Sequence, residues 1–240
     1  GTNNMKYQIP KTTFTGKPVA GSLERVLAGL NANPATNPPA QPPVNAPNLD
    51  DYIFVPSIGL YVAKQRTHPG LNWFQTHEEL HKENLRMPTI YEFKEFLKYL
   101  RQNQNGLNDA SSQEITTIID DILTVRNPWR AEWLDAKFEK RAKGIYIIEK
   151  NDPNTIQPLE KCLMKDKGPG IDLEDWLNNS TKQGLPNPKA KKGQLYYWYP
   201  RDTAVARFNA DSDRAYLYCD WYPTNLDASL GVFACAEGAR

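Results

Sequence analysis

Apolar residues recur along this chain with two different periods. Leu23, Val26, Leu27 and Leu30 fall on one helical face, predicting a short helix over Ser22–Leu30. Leu71–Asn84 reads as a second helix. Phe93, Phe96, Leu97 and Leu100 give a wide apolar stripe to a third, introduced by Thr89 and Glu92 in a Thr-x-x-Glu capping box. Ser111 with Glu114 caps a fourth, carrying Ile115, Ile118, Ile119 and Ile122, and Leu173, Trp176 and Leu177 mark a short one over Asp172–Asn179. Tyr52–Val55, Leu60–Ala63, Ile145–Glu149 and the aromatic Leu195–Pro200 read as strands, the last of them central, with Gly59 in the turn between the first two. Asn103–Ala110 and Gly184–Lys192 read as loops, Gly168-Pro169-Gly170 as a tight loop, and Arg126–Phe138 as an irregular segment with core aromatics. From Ala204 to Cys235 the pattern alternates: Leu217 and Cys219 are offset by one from Tyr216 and Tyr218, as in half-buried strands.

Six prolines between Asn31 and Asn48 rule out a helix there and leave little to bury. The chain therefore divides into an N-terminal arm with a Pro-rich connector, 1–48, and a main domain, 49–240. Its 240 residues, 40% of them hydrophobic, support a packed core. The net charge of +1 gives no field that would steer the chain to nucleic acid or an anionic membrane. No apolar run approaches the roughly 18 residues of a membrane span, and no secretory signal opens the sequence. Three cysteines, Cys162, Cys219 and Cys235, are too few for a disulfide framework; their odd number favours a reducing compartment, and the location is otherwise left open.

Two motifs invite enzymatic readings. His77-Glu78-Glu79-Leu80-His81 matches His-Glu-x-x-His, which on a helix stacks two imidazoles one turn apart to grip zinc, with the Glu activating water. The helix is charged around the motif, at Glu79, Lys82 and Glu83, where a buried catalytic helix would be largely apolar, and His68 is the only other histidine. The expectation is a structural helix in which His77 flanks the apolar stripe of Trp73, Phe74 and Leu80, and Glu78, Glu79 and Lys82 are solvated. The cysteines pair with no histidine in a recognisable signature and read as packing residues. Lys189–Lys192 reads as a solvated basic run.

Leu85-Arg86-Met87-Pro88-Thr89-Ile90-Tyr91-Glu92-Phe93 resembles the Arg-Leu-Pro-Thr-x-x-Glu-Trp motif that follows the first helix in C-type lectin folds of the formylglycine-generating-enzyme type. Leu230-Gly231-Val232-Phe233 is similar to the Gly-Phe-Arg strand that closes that fold. With Asn127-Pro128-Trp129-Arg130, Tyr196–Asp202 and Ala210-Asp211-Ser212, the chain from about Tyr52 onward resembles the variable proteins of diversity-generating retroelements. The resemblance implies an α+β, C-type lectin-like fold, irregular, with few short strands and long loops. It also implies that adenines in a template are randomised during reverse transcription, chiefly in Asn codons ending in a pyrimidine. Such codons never encode Lys, Glu, Gln, Met or Trp. From Thr203 to Ala236 the chain has no Lys, Glu, Gln or Met. Trp221 breaks the rule and would be an invariant template position.

The expected function is thus a ligand-binding display protein without catalysis, with a variable region at about 204–235. Its surface would comprise Asp213, Arg214, Tyr216, Tyr218, Asp220, Tyr222, Thr224, Asn225 and Asp227, with Arg207 and Asn209 at its margin. Leu217, Leu226, Leu230 and Val232 would anchor it in the core. Tyr offers contact area at low entropic cost, and Asp, Asn and Arg offer hydrogen bonds. The partner is an unknown ligand, expected to be a protein, the chain a monomer, and no cofactor is expected. The scattered Asp residues do not make a calcium site, which needs several converging oxygens. The competing functions are a formylglycine-generating-type oxidase using Cys219 and Cys235, and a zinc metallopeptidase using residues 77–81.

Overall fold

The computed structural model describes residues 48–151 and 155–238. The arm, its helix over 22–30 and most of the Pro-rich connector lie outside the described residues. The architecture is mixed α+β. After a 3-10 turn, Leu49–Asp51, come β1 (Tyr52–Val55) and β2 (Leu60–Ala63), then α1 (Trp73–Lys82), α2 (Ile90–Gln102) and α3 (Ser112–Leu123). β3 (Arg130–Arg141), β4 (Gly144–Ile148), β5 (Ile156–Pro158) and β6 (Lys167–Ile171) precede α4 (Leu173–Asn179). β7 (Leu195–Trp198), β8 (Val205–Ala210), β9 (Ala215–Trp221), β10 (Leu230–Gly231) and β11 (Cys235–Glu237) complete the chain.

The helices start where the sequence dictates. Thr89 and Ser111 each accept from the backbone of the third helical residue, while Glu92 and Glu114 reach back to the cap amide. These boxes satisfy donors that a helix N-terminus otherwise leaves orphaned. An Asn72–Gln75 box, not anticipated, starts α1 two residues later than expected. The apolar stripes of α2 and α3 are buried at every predicted position.

The strands form two sheets. In the larger, the order is β5-β4-β3-β8-β9-β7-β6, with β10 pairing β3 in parallel. In the smaller, β11 returns to pair β2, beside β1. Regular structure exceeds the expectation of few short strands. Arg130–Arg141 is a 12-residue strand in the middle of the sheet, where an irregular segment was expected. Pro128 and the polar residues just before and within its start hid its alternation, and it is buried over its first seven positions because both faces are covered. Gly168-Pro169-Gly170 belongs to β6 and is not a tight loop; β6 is an irregular edge strand, where proline is tolerated. β7 lies one strand in from that edge, not at the centre.

The larger sheet separates two apolar clusters. On one face Phe208, Leu217, Cys219 and Tyr197 meet α2, α3 and α4. Phe208 stacks on Trp176 at 5.9 Å between ring centroids and tilts against Phe93 at 5.3 Å. The other face packs Trp133, Ala131 and Val205 against Trp73 and Leu80 of α1 and against Leu230 and Val232. The two indoles are each satisfied through the backbone: Trp73 Nε1 donates to Leu134 O at 2.9 Å and Trp133 Nε1 to Leu71 O at 3.1 Å.

Glu132 is among the ionisable side chains buried in the fold. Glu132 on β3 accepts from Arg66 Nε at 3.0 Å and is nearly inaccessible. Burial outweighs the Arg66 guanidinium and pushes its carboxyl up to about 7. A carboxyl raised in the fold binds its proton more tightly than the unfolded chain does. Stability is therefore fullest below about 4.5 and falls as pH rises toward about 7. Glu132→Gln should flatten urea midpoints across that window; an unchanged slope would mean Glu132 does not carry it. Leu217 is fully buried. Leu217→Asp should abolish the cooperative unfolding transition, because an unpaired buried charge costs several kcal/mol; circular dichroism on heating reads this directly.

Candidate ligand-binding surface

The register of β7, β8 and β9 builds the candidate surface. β8 and β9 run antiparallel with Arg207 opposite Tyr218 and Asn209 opposite Tyr216. β9 and β7 run parallel with Tyr216 beside Tyr196 and Tyr218 beside Trp198. Side chains alternate across a pleated sheet, so two rows form on one face: Asn209–Tyr216–Tyr196 and Arg207–Tyr218–Trp198. Phe208, Leu217 and Tyr197, one position along, point the opposite way into the core.

The rings of this face touch in series. Tyr196 meets Tyr216 edge-on at 4.9 Å, Tyr216 lies near-parallel to Tyr218 at 6.1 Å, and Trp198 stacks on Tyr218 at 5.6 Å. Tyr218 continues to Trp221 at 4.9 Å, and Trp221 to Tyr222 at 5.4 Å. Such spacings are those of attractive aromatic pairs. Tyr222 is 69% exposed and Leu226, in the following turn, 58%.

Polar residues frame the rings. Asp213 accepts from the Tyr216 hydroxyl at 3.0 Å; burial, and then this bond, push that phenol above its usual range. Arg201 bridges Asp166 and Asp220, at 2.7 and 3.0 Å, and lies over the Tyr199 ring. Arg214 lies over Tyr196 at 3.9 Å and donates to the Pro169 carbonyl. Asn225 accepts from the Trp221 indole at 2.9 Å.

Asp213, Tyr222 and Thr224 are exposed, and Arg214, Tyr216, Tyr218, Asp220, Asn225 and Asp227 are half-buried. Three expectations need correction. Arg207 and Asn209 share the face but are buried, at 5% and 2% exposure, because β8 is flanked on both sides and roofed by Trp129 and Trp221. Leu226 is exposed and anchors nothing; Leu217, Leu230 and Val232 are the buried ones. Tyr196, Trp198 and Trp129 join this face without having been anticipated from the sequence. The alternation in Leu195-Tyr196-Tyr197-Trp198 carries that information for the first two once the strand is set beside β9.

The other candidate chemistry lies apart. His77 is fully buried on α1, edge-on to Trp73 at 4.4 Å and 3.1 Å from an Asp135 oxygen, out of line for a hydrogen bond. His81 is exposed and meets Asn151 Oδ1 at 3.0 Å. Phe74, expected in the apolar stripe, is 38% exposed. Among the described residues no three His, Cys, Asp or Glu side chains converge as metal ligands. Cys219 and Cys235 are free and fully buried. Burial raises both thiols well above their usual value, the reverse of the accessible, lowered thiol that reactive cysteine chemistry uses. No helix of the described residues is long and apolar enough to cross a membrane.

No protein family matches the chain, and neither a curated protein nor a solved structure does.

Metal removal gives a direct check. Dialysis against a chelator should leave the melting temperature unchanged, and equimolar zinc or millimolar calcium should not raise it. A stoichiometric zinc-dependent rise lost in His77→Ala and His81→Ala would establish a metal centre instead.

Proposed function

We propose that this chain is a ligand-binding display protein: a C-type lectin-like scaffold of the formylglycine-generating-enzyme type whose C-terminal face is diversified by adenine-directed retrohoming. The observation that carries the reading is the gathering of Tyr216, Tyr218, Tyr222, Asp213, Arg214 and Asp220 on one solvent-facing side of β9 and the turns that flank it. Their intervening neighbours Leu217 and Cys219 are fully buried. The absence of Lys, Glu, Gln and Met from 203–236 coincides with that face. The return of β11 to the first hairpin is in keeping with a fold closed by its last strand.

The chemistry suits variable recognition. Tyr and Trp supply large rigid contact areas, and Asp, Asn and Arg supply adaptable hydrogen bonds. A contiguous aromatic patch of this kind marks an interaction site more often than scattered surface rings do. Exchange at exposed positions usually changes stability within about 0.5 kcal/mol, so the scaffold can hold while the face changes. The partner class that fits is a protein, through a central aromatic cluster with a polar rim.

Two tests bear on this. The source genome should carry a reverse transcriptase gene nearby and a near-copy of the codons for 204–235 that differs at adenines. A genome with neither contradicts retrohoming. Replacing Tyr216, Tyr218 and Tyr222 together by Ser should lower the melting temperature by no more than a few degrees, since about 1 kcal/mol shifts a domain of this size by roughly 2–4 °C. Loss of the folded state would make the segment core.

A further inference from the structure

The face that carries the rings is short of acceptors and oversupplied with donors. Five buried side-chain polar atoms on it have no hydrogen-bond partner among the described residues: Arg207 Nε and Nη1, Arg214 Nε, Trp198 Nε1 and Asn209 Oδ1. Four of the five are N–H donors. Apart from Asn209 Oδ1, the carboxylates and the amide around them each take a hydrogen bond already. Asp213 takes the Arg214 amide and the Tyr216 hydroxyl, Asp220 takes Arg201, Asp227 takes the Ser229 amide, and Asn225 takes the Trp221 indole.

Arg207 is the extreme case. It is 5% exposed, and among the described residues no carboxylate forms an ion pair with it. Its guanidinium sits among three rings, 3.6 Å from the Trp221 centroid, 4.9 Å from Trp129 and 5.4 Å from Tyr218. Burial pulls its ionisation down to about 10, which still leaves it charged at neutral pH. Rings stabilise a cation but take none of its hydrogen bonds, so the planar fork of donors stays available for an oxygen pair. A buried charge without a hydrogen-bonded counter-ion is unusual enough to need an account.

Resting on the reading of this face as a ligand surface, we propose that Arg207 is its anchor for a carboxylate. The ligand it fits presents an acidic side chain or chain terminus into the space between Trp129, Tyr218 and Trp221. Trp221 roofs Arg207 and is tethered to Asn225 by a single side-chain hydrogen bond. The incoming carboxylate displaces that ring and takes up the idle donors of Arg207. The exposed Tyr222 and Leu226 in the adjoining turn then receive the apolar neighbours of the acid. Variable residues around the rim would set which acidic ligand is chosen, while Arg207 supplies the charge-assisted bond common to all.

The test uses two isosteric probes, N-acetyl-glutamate N-methylamide and its neutral N-acetyl-glutamine counterpart, titrated into the whole chain with tryptophan fluorescence as readout. The Glu probe should bind saturably and at least tenfold more tightly than the Gln probe. Arg207→Met should weaken the Glu probe at least tenfold yet melt no lower than the parent, since it removes an unpaired buried charge. Asn225→Ala, which frees Trp221, should tighten the Glu probe severalfold. Equal affinity for the two probes, no saturable response, or undiminished binding by Arg207→Met would overturn the proposal. So would an Arg207→Met protein melting well below the parent, which would make Arg207 a packing strut. None of these outcomes bears on the genomic test, so the carboxylate anchor and the display reading can fail separately.

Discussion

The pairing of β8 with β9 is the constraint on which the rest depends. Opposing Phe208 to Leu217 sends both into the helical core, and the same register sets Arg207 against Tyr218 and Asn209 against Tyr216 on the far side. A slip of one residue would turn every ring into the core and every aliphatic anchor out to water. The cost of that exchange fixes the register. Each fully buried Leu or Phe contributes about 1.5–3 kcal/mol relative to exposure, and several act together here. The exposed face is therefore specified by the side it turns its back on, and its own residues do not fix the register.

The support behind the sheet is correspondingly rigid. α2, α3 and α4 cover one side with aromatic contacts centred on Phe208, Phe93 and Trp176, and α1 covers the other beside Trp133. Gly184 shows how close the layers come. Its φ is +90°, and a Cβ there would lie 2.4 Å from the Tyr91 amide nitrogen. Trp176 then donates to the Gly184 carbonyl at 2.8 Å, tying α4 to the start of α2. The turn after β9 carries, among the described residues, the two most exposed large apolar side chains, Tyr222 and Leu226.

Much of this was legible in the sequence, for local reasons. The capping boxes at Thr89 and Ser111 and the stripes of α2 and α3 are written in adjacent residues. The alternation around Leu217 and Cys219 likewise separates core from surface without knowledge of any partner strand. What the sequence hid is what depends on partners. Arg207 and Asn209 look like surface residues until β8 is seen between two neighbours and beneath Trp129 and Trp221. Leu226 looks like an anchor because it is apolar, but a turn can leave a leucine in water. β3 shows no clean alternation because both its faces are buried. Tyr196 and Trp198 join the surface only through the parallel pairing of β7 with β9, a long-range contact that no local pattern announces.

The central claim is that the face and the fold are separable. The most direct measurement compares two libraries by resistance to proteolysis. One randomises Asp213, Arg214, Tyr216, Tyr218, Asp220, Tyr222, Thr224, Asn225 and Asp227 with codons ending in a pyrimidine. The other randomises Leu217, Cys219, Leu230 and Val232 in the same way. The account predicts that most members of the first library survive digestion like the parent and that few of the second do. Equal losses in both would contradict it, because the rings and charges of the face would then be part of what holds the molecule together.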